Sequence, residues 1–585
     1  MKKYLLMIVA ASALLACAKE MAQNELTPVS GDIEGLAEGT PISFTVEVEA
    51  ASETKATISS NTNFTWEETD RAAVYASDGT TKIELTPTDI SGGTATFTGS
   101  VPSGKTVAEG AIVVYPASFL TGPSTVTFPD TYADEGATKG QGTVLAAKVA
   151  SGRKLNFKYL AATMKAAITD VPSVATSITV ESTAVLTGAH TIDFSGTTPS
   201  LSTSSTAKAI TFSSPSNGNN VLVVPVPTTG SQTFTYKVKY SSSDLFTKST
   251  TQTMARNTYM SMADVAINPT VYLYSHMTGW EGTDAAPMTY TNGVASLKLS
   301  TIGNQYFRVK VAYPGGQAYV MGPTTDIEDG SSNGSFVDIT DVESKKAVRI
   351  STSAGVYTLS FNVTDNTYSI SDSGETFHLY IRGEFNSWSF TDGMKDMIHA
   401  GNKVYYYIGK MNTKMKLFYN KEYKYSQIGG STTEATGSLV TETGSTGVIN
   451  MGSDIPFILV ANFSNNTFVV QNLGDDTGNG SAHTSVLLCY NDHWETSGQT
   501  LSVATDQAQT YHAVMTMSRK DTEPAQFRLY IDSSYWDAYL TNWVYVETGS
   551  GKTIYTYYNN WQIVDGTYIF AFNLKNYKYF AYDIG

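Results

Sequence analysis

Tryptophans and cations recur at matched positions in the C-terminal half of this 585-residue chain, and that pairing is the chemistry to be positioned. Trp280, Trp388 and Trp494 each follow a short β-like run. Each sits in polar sequence, beside Gly279 and Glu281, Ser387 and Ser389, and His493 and Glu495 respectively. Further on come Phe307-Arg308-Val309, Met415-Lys416-Leu417 and Phe527-Arg528-Leu529, which place a cation at the centre of a recurring strand. A sugar presents flat patches of C–H bonds edged by hydroxyls. An indole face stacks on the former, and Arg, Lys, Asn or Asp side chains bond the latter. Trp536, Tyr539 and Trp543 crowd the stretch after Arg528, so the last repeat is expected to hold the strongest such site. Core packing is the other role open to these rings, because tryptophan is highly buried on average. Arg308, Lys416 and Arg528 can equally be exposed strand positions.

Catalytic signals are weak. The seven histidines are scattered, without a His-x-x-x-His pair or a close metal cluster. There is no Gly-x-Ser-x-Gly elbow and no phosphate loop. Neither catalysis nor a metal or cofactor is expected. Asp475 and Asp476 lie in linker sequence, where solvated charge accounts for them. A net charge of −15 repels a phosphate backbone, so nucleic acid is not an expected partner.

The elements that must hold these residues are strands. Pro41-Ile42-Ser43-Phe44-Thr45-Val46-Glu47-Val48 alternates apolar and polar, and so does Phe234-Thr235-Tyr236-Lys237-Val238-Lys239-Tyr240. Ser, Thr and Gly clusters punctuate the runs, and no long stretch has the helical period. The fold expected is all-β, an elongated chain of tandem antiparallel β-sandwich (Ig-like) domains. Composition shifts near residue 269: Trp66 alone of the seven tryptophans precedes it.

Beyond that boundary the chain repeats itself. A closing hairpin reads Gly355-Val-Tyr357-Thr-Leu-Ser-Phe361-Asn362 then Tyr368. It recurs as Phe457-Ile-Leu-Val-Ala461-Asn462 then Phe468, and as Gly566-Thr-Tyr568-Ile-Phe-Ala-Phe572-Asn573 then Tyr579. The asparagine suits the hairpin turn, since its short amide bonds local backbone and tolerates positive φ. An opening strand recurs as Val271-Tyr-Leu-Tyr274, Phe377-His-Leu-Tyr380 and Val486-Leu-Leu-Cys489. Repeats of this length are domain-sized, giving expected domains at 270–373, 375–473 and 484–585.

The N-terminus carries a targeting signal. Lys2 and Lys3 precede a short apolar run, Tyr4 to Ala13, too short to span a bilayer. Leu14-Leu15-Ala16-Cys17 resembles the lipobox of bacterial lipoproteins. That resemblance implies cleavage of residues 1–16 and acylation of Cys17, with 17–40 as a flexible tether. Several acyl chains give stable anchoring. Cys489 is then left without an intramolecular disulfide partner and is expected as a buried small hydrophobe.

Two further resemblances cover the remainder. Phe64-Thr-Trp66-Glu-Glu-Thr-Asp70-Arg71-Ala-Ala-Val74-Tyr75, Val113-Val114-Tyr115-Pro116, Leu155-Asn-Phe157-Lys-Tyr159-Leu160, Val221-Leu-Val-Val-Pro225 and Arg256-Asn257-Thr-Tyr259 follow one another across 41–268. In that order they resemble the fimbrillin-type domain of Bacteroidetes surface proteins. The resemblance implies two β-sandwich halves, 41–150 and 151–268. No Arg lies between Cys17 and Arg71, which departs from the proteolytic strand exchange of that family's pilus subunits. In the second half, Arg382-Gly383-Glu384-Phe385-Asn386-Ser387-Trp388 is similar to a segment that opens many carbohydrate-binding sandwiches. Residues 270–585 resemble the tandem domains of the SusE and SusF class of outer-membrane starch-binding lipoproteins. This implies a non-catalytic, lipid-anchored surface protein that captures polysaccharide on aromatic platforms, alongside other surface proteins of a glycan-uptake system. The alternative is a fimbrillin-family adhesin or pilus-associated protein that binds host or matrix protein.

Overall fold

The computed structural model describes the chain from Thr40 to Ile584, apart from residues 50–63, 133–141, 152, 281–284, 329–330, 343–344, 411–413, 422, 424–426, 431–435, 443–446, 451–455, 475–482, 484, 491–496, 505–506, 519–524, 533, 536–542, 548–554, 558–559, 564 and 576–577. Cys17 lies outside these residues. The described residues are strands with two single-turn 3₁₀ segments, and none of their helices is long and apolar enough to cross a membrane. They fall into two compact units, Met1–Ile267 and Asn268–Gly585.

Alternating apolar residues build the first unit. In Thr40–Val48, Ile42, Phe44 and Val46 all point inward and are buried. This strand runs parallel to Lys154–Tyr159 and antiparallel to Thr94–Val101, completing a closed seven-stranded barrel. The closing strand Lys154–Tyr159 lies beyond residue 150, so the barrel crosses the division expected there. Closure removes the exposed strand edges that an open sheet would leave. Trp66 fills the barrel's centre, packed edge-on against Phe64, Phe97, Tyr115 and Phe157 at 4.6 to 5.5 Å. It is a core residue.

Of the three further sheets among the described residues of this unit, two are built around Ala162–Val171 and Gly230–Tyr240. The Tyr236 hydroxyl reaches the Met164 sulfur between them. Arg256 donates two hydrogen bonds to the Glu49 carboxylate and a third to the Tyr159 carbonyl, fastening the end of the first strand to a loop far along the chain. Burial pushes the Glu49 carboxyl upward, but Arg256, with Lys158 and the Tyr159 amide, holds it below its ordinary value.

The second unit contains the three repeats. In the first, a front sheet runs in the order Ala286–Pro287, Thr270–Ser275, Gln305–Ala312, Ala318–Gly322, Val337–Asp338. The back sheet is centred on Val294–Thr301 and Gly355–Asn362. The third repeat has the same front-and-back plan, around Val486–Tyr490 with Ala525–Ile531 and around Gln507–Met517 with Gly566–Asn573. In the second repeat Thr436–Glu442 pairs with both layers and joins them into one ten-stranded sheet.

The closing hairpin forms as its spacing requires. Asn362, Asn462 and Asn573 each accept, through Oδ1, the backbone N–H two residues on, from Thr364, Ser464 and Lys575. These asparagines end their strands. In the first two repeats the positive φ falls instead on Asn366 and Asn466.

Strand pairing corrects one part of the repeat alignment. Leu273, Ile381 and Leu488 lie opposite Val309, Leu417 and Leu529. The opening strand of the second repeat is therefore Leu379-Tyr380-Ile381-Arg382, two residues later than Phe377-His-Leu-Tyr380. Apolar residues at Phe377, Leu379 and Ile381 fit either frame, because a shift of two leaves every side chain on its own face.

Candidate functional site

In Gln305–Ala312, Phe307, Val309 and Val311 point into the sandwich, which leaves Tyr306, Arg308 and Lys310 on the outer face of the front sheet. Arg308 is nevertheless only 7% exposed. It is covered by the loop after Thr270–Ser275 and by the segment at Lys345. Its guanidinium lies over the Trp280 ring at 4.7 Å from the centroid. It also donates to the carbonyls of Lys345 (3.1 Å) and Trp280 (3.4 Å). A cation on an indole face contributes roughly 0.5–2 kcal/mol, more as water is excluded.

The Trp280 loop has a local cause. Ser275 donates its backbone N–H to the Thr278 hydroxyl, and Gly279 takes φ +83° to turn the chain so that the next residue reaches the sheet. The same turn recurs in the second repeat with other residues. Gly383 donates to the Asn386 side chain, and Trp388 donates its backbone N–H to the Gly383 carbonyl. Ser275-His-Met-Thr-Gly-Trp280 and Gly383-Glu-Phe-Asn-Ser-Trp388 are thus one structural motif in two spellings.

Around Trp280 and Arg308 lies a pocket of about 500 Å³, lined also by His276, Tyr306, Asp326, Glu328, Lys345 and Ala347. This is within the size range of small-ligand sites. The His276 ring meets Trp280 edge-on at 5.0 Å and Tyr306 at 5.7 Å. Its Nδ1 accepts the Tyr306 backbone N–H at 3.2 Å, which places the ring proton on Nε2. Burial lowers the pKa of His276, so the ring is neutral at neutral pH. The Tyr306 hydroxyl donates to Glu328 at 2.6 Å and accepts from Arg349, whose guanidinium also pairs with Glu328. Asp326 accepts the Ala347 backbone N–H and pairs with Lys346 at 3.2 Å. The rim is therefore a fixed set of donors and acceptors around an indole wall.

The structure brings Trp280 and Arg308 together as a stacked pair. It places Trp388 half-buried on the equivalent loop and Lys416 on the equivalent strand position, with Lys416 only 5% exposed. Lys416 is a covered residue and not a solvent-facing strand position. Arg528 is half-buried opposite Cys489, which is fully buried. Trp494, Trp536 and Tyr539 lie outside the described residues, and Trp543 is described in its backbone alone.

His276, Asp326, Glu328 and Lys345 were not singled out in the sequence. They come from loops that only the folded sheet brings together. Tyr306 carried a usable signal, since it lies two residues before Arg308 and so shares its face.

No protein-family model matches the chain, and no curated protein matches it. Among solved structures, SusF from Bacteroides thetaiotaomicron aligns over 72% of this chain and 99% of its own at 10% identity, with a TM-score of 0.18. A proposed cell adhesion protein from Bacteroides uniformis aligns over 47% of this chain and 98% of its own at 13% identity, with a TM-score of 0.20. Both scores are too low to assign the chain to either neighbour's family.

Proposed function

We propose that the chain is a non-catalytic glycan-binding protein, held at a bacterial outer membrane by acyl chains on Cys17 and facing the exterior. The observation that carries this reading is the convergence of Trp280, Arg308, His276 and Tyr306 on one pocket. An indole wall suits the C–H face of a pyranose ring, and the surrounding N–H, O–H and carboxylate groups suit its hydroxyls. Both pocket carboxylates are tied to cations, Asp326 to Lys346 and Glu328 to Arg349. That arrangement favours hydroxyl recognition over the two free carboxyls, set across the bond to be cleaved, that glycoside hydrolysis requires.

Trp388 with Lys416, and the group Trp494, Arg528, Trp536, Tyr539 and Trp543, are further sites in this reading. Several weak sites on one chain raise avidity for a polymer. Affinity electrophoresis of the full chain through gels cast with different polysaccharides tests the proposal. At least one neutral polysaccharide should retard it, and Trp280→Ala should reduce the retardation. Unchanged mobility across a broad panel would remove the reading.

A further inference from the structure

The front sheet of the second repeat carries a cation in an unusual setting. Arg382 pairs across the strands with Lys416 on the outer face and is fully buried. Its guanidinium is held between two rings, Phe418 at 3.9 Å and Phe390 at 3.1 Å from their centroids. Nε contacts the Met394 sulfur at 3.3 Å, and Nη2 donates to the Lys421 carbonyl at 3.1 Å. Nη1 is buried and has no acceptor among the described residues. No carboxylate among the described residues pairs with the group. Burial pushes its pKa down to about 10, which still leaves it charged at neutral pH. A buried cation without a counter-charge is destabilising, and a buried donor without an acceptor adds to that. Methionine or leucine would fill the same slot without either cost.

The two covering rings differ. Phe418 belongs to the sheet and is buried, whereas Phe390 is 38% exposed. Phe390 rides on a loop in which the consecutive residues Ser387 and Trp388 have φ of +52° and +60°. That conformation is unfavourable for an L-residue with a side chain. Phe390 is therefore the ring that can move, and moving it opens one face of the guanidinium.

We propose that Arg382 is an oxyanion site beneath a Phe390 lid, taking the carboxylate or sulfate ester of an acidic polysaccharide. The planar guanidinium fork matches either group. A chain of net charge −15 repels polyanions in general, so retention of one reports a local site. The proposal rests on the glycan reading only in taking the oxyanion to be borne by a polysaccharide.

Affinity electrophoresis of the full chain in gels of polygalacturonate, dextran sulfate and neutral dextran tests it. Wild-type protein should be retarded by one or both polyanions, and which of them does so identifies the group. Arg382→Gln should weaken that retention at least tenfold, while the Trp280-dependent share of any retention by a neutral glycan, the share that Trp280→Ala removes, stays unchanged. Phe390→Ala should strengthen polyanion retention several-fold, because no lid has to be displaced. Polyanion retention that survives Arg382→Gln would overturn the proposal. So would an absence of retention in both wild-type and Phe390→Ala chains. If Arg382→Gln fails to fold, as a thermal melt would show, unchanged or weaker retention by Phe390→Ala still overturns it.

Discussion

A buried arginine lying on a tryptophan is the smallest unit of this account. Arg308 spends its donors on two backbone carbonyls and its flat face on Trp280, so it both shapes the pocket wall and fixes the indole. Lysine keeps the charge but has neither the fork nor the plane. Arg308→Lys should therefore weaken glycan binding about tenfold while leaving the fold intact, measured by titration calorimetry beside a thermal melt. The sequence showed the cation and the tryptophan and pointed to the sugar chemistry proposed for them. It did not show that they touch, because Trp280 and Arg308 are joined through a turn whose defining contact, Ser275 to Thr278, has no fixed residue signature. The equivalent turn in the second repeat uses Gly383 and Asn386, and its resemblance to known sugar-binding segments made that repeat more conspicuous than the first.

At the scale of elements, the closing hairpins differ in a way that alternation alone explains. In the first repeat Leu359 and Phe361 face the core, while Thr358 and Ser360 face out. At the matching positions the second repeat has Ile458 and Val460, and the third has Ile569 and Ala571. All four are buried in a single cluster that also includes Tyr406, Phe580 and Tyr582. The back sheets of the second and third repeats thus pack on each other, and their strands are apolar on both faces. The pattern was present in the sequence as unbroken apolar runs, but a run does not name the surface it packs against. Val460→Asp should destabilise the protein by about 3 kcal/mol or more in urea melts, since it buries an unpaired charge. Ser360→Asp, at the same position of the first repeat, should change stability by less than about 0.5 kcal/mol.

That packed layer also holds a titrating group. The Tyr406 hydroxyl and His512 Nδ1 are 2.9 Å apart, and burial pushes His512 down to about 4. The unfolded chain binds a proton near pH 6.5 that the folded chain does not bind until near pH 4, so stability falls as pH drops between those values. Urea midpoints should decline across that window, and His512→Phe should flatten the decline.

For the whole molecule, all-β architecture and the existence of three repeats were legible because period-two alternation and a hairpin spacing survive divergence. The closed barrel of the first unit was not, because its closing pair, Thr40–Val48 with Lys154–Tyr159, is parallel and joins strands far apart in the chain. The proposed acylation of Cys17 is tested at this scale as well. Cys17→Ser should move the protein from the membrane pellet to the soluble fraction, whereas the wild-type chain should leave the pellet only with detergent.

The proposed function requires that a sugar lie against Trp280. Titration calorimetry of the intact chain and its Trp280→Ala variant, using oligosaccharides of a neutral polysaccharide that retards the protein, tests it directly. A loss of tenfold or more in affinity, with the melting temperature unchanged, is the predicted result. Equal affinity in the two chains would contradict it.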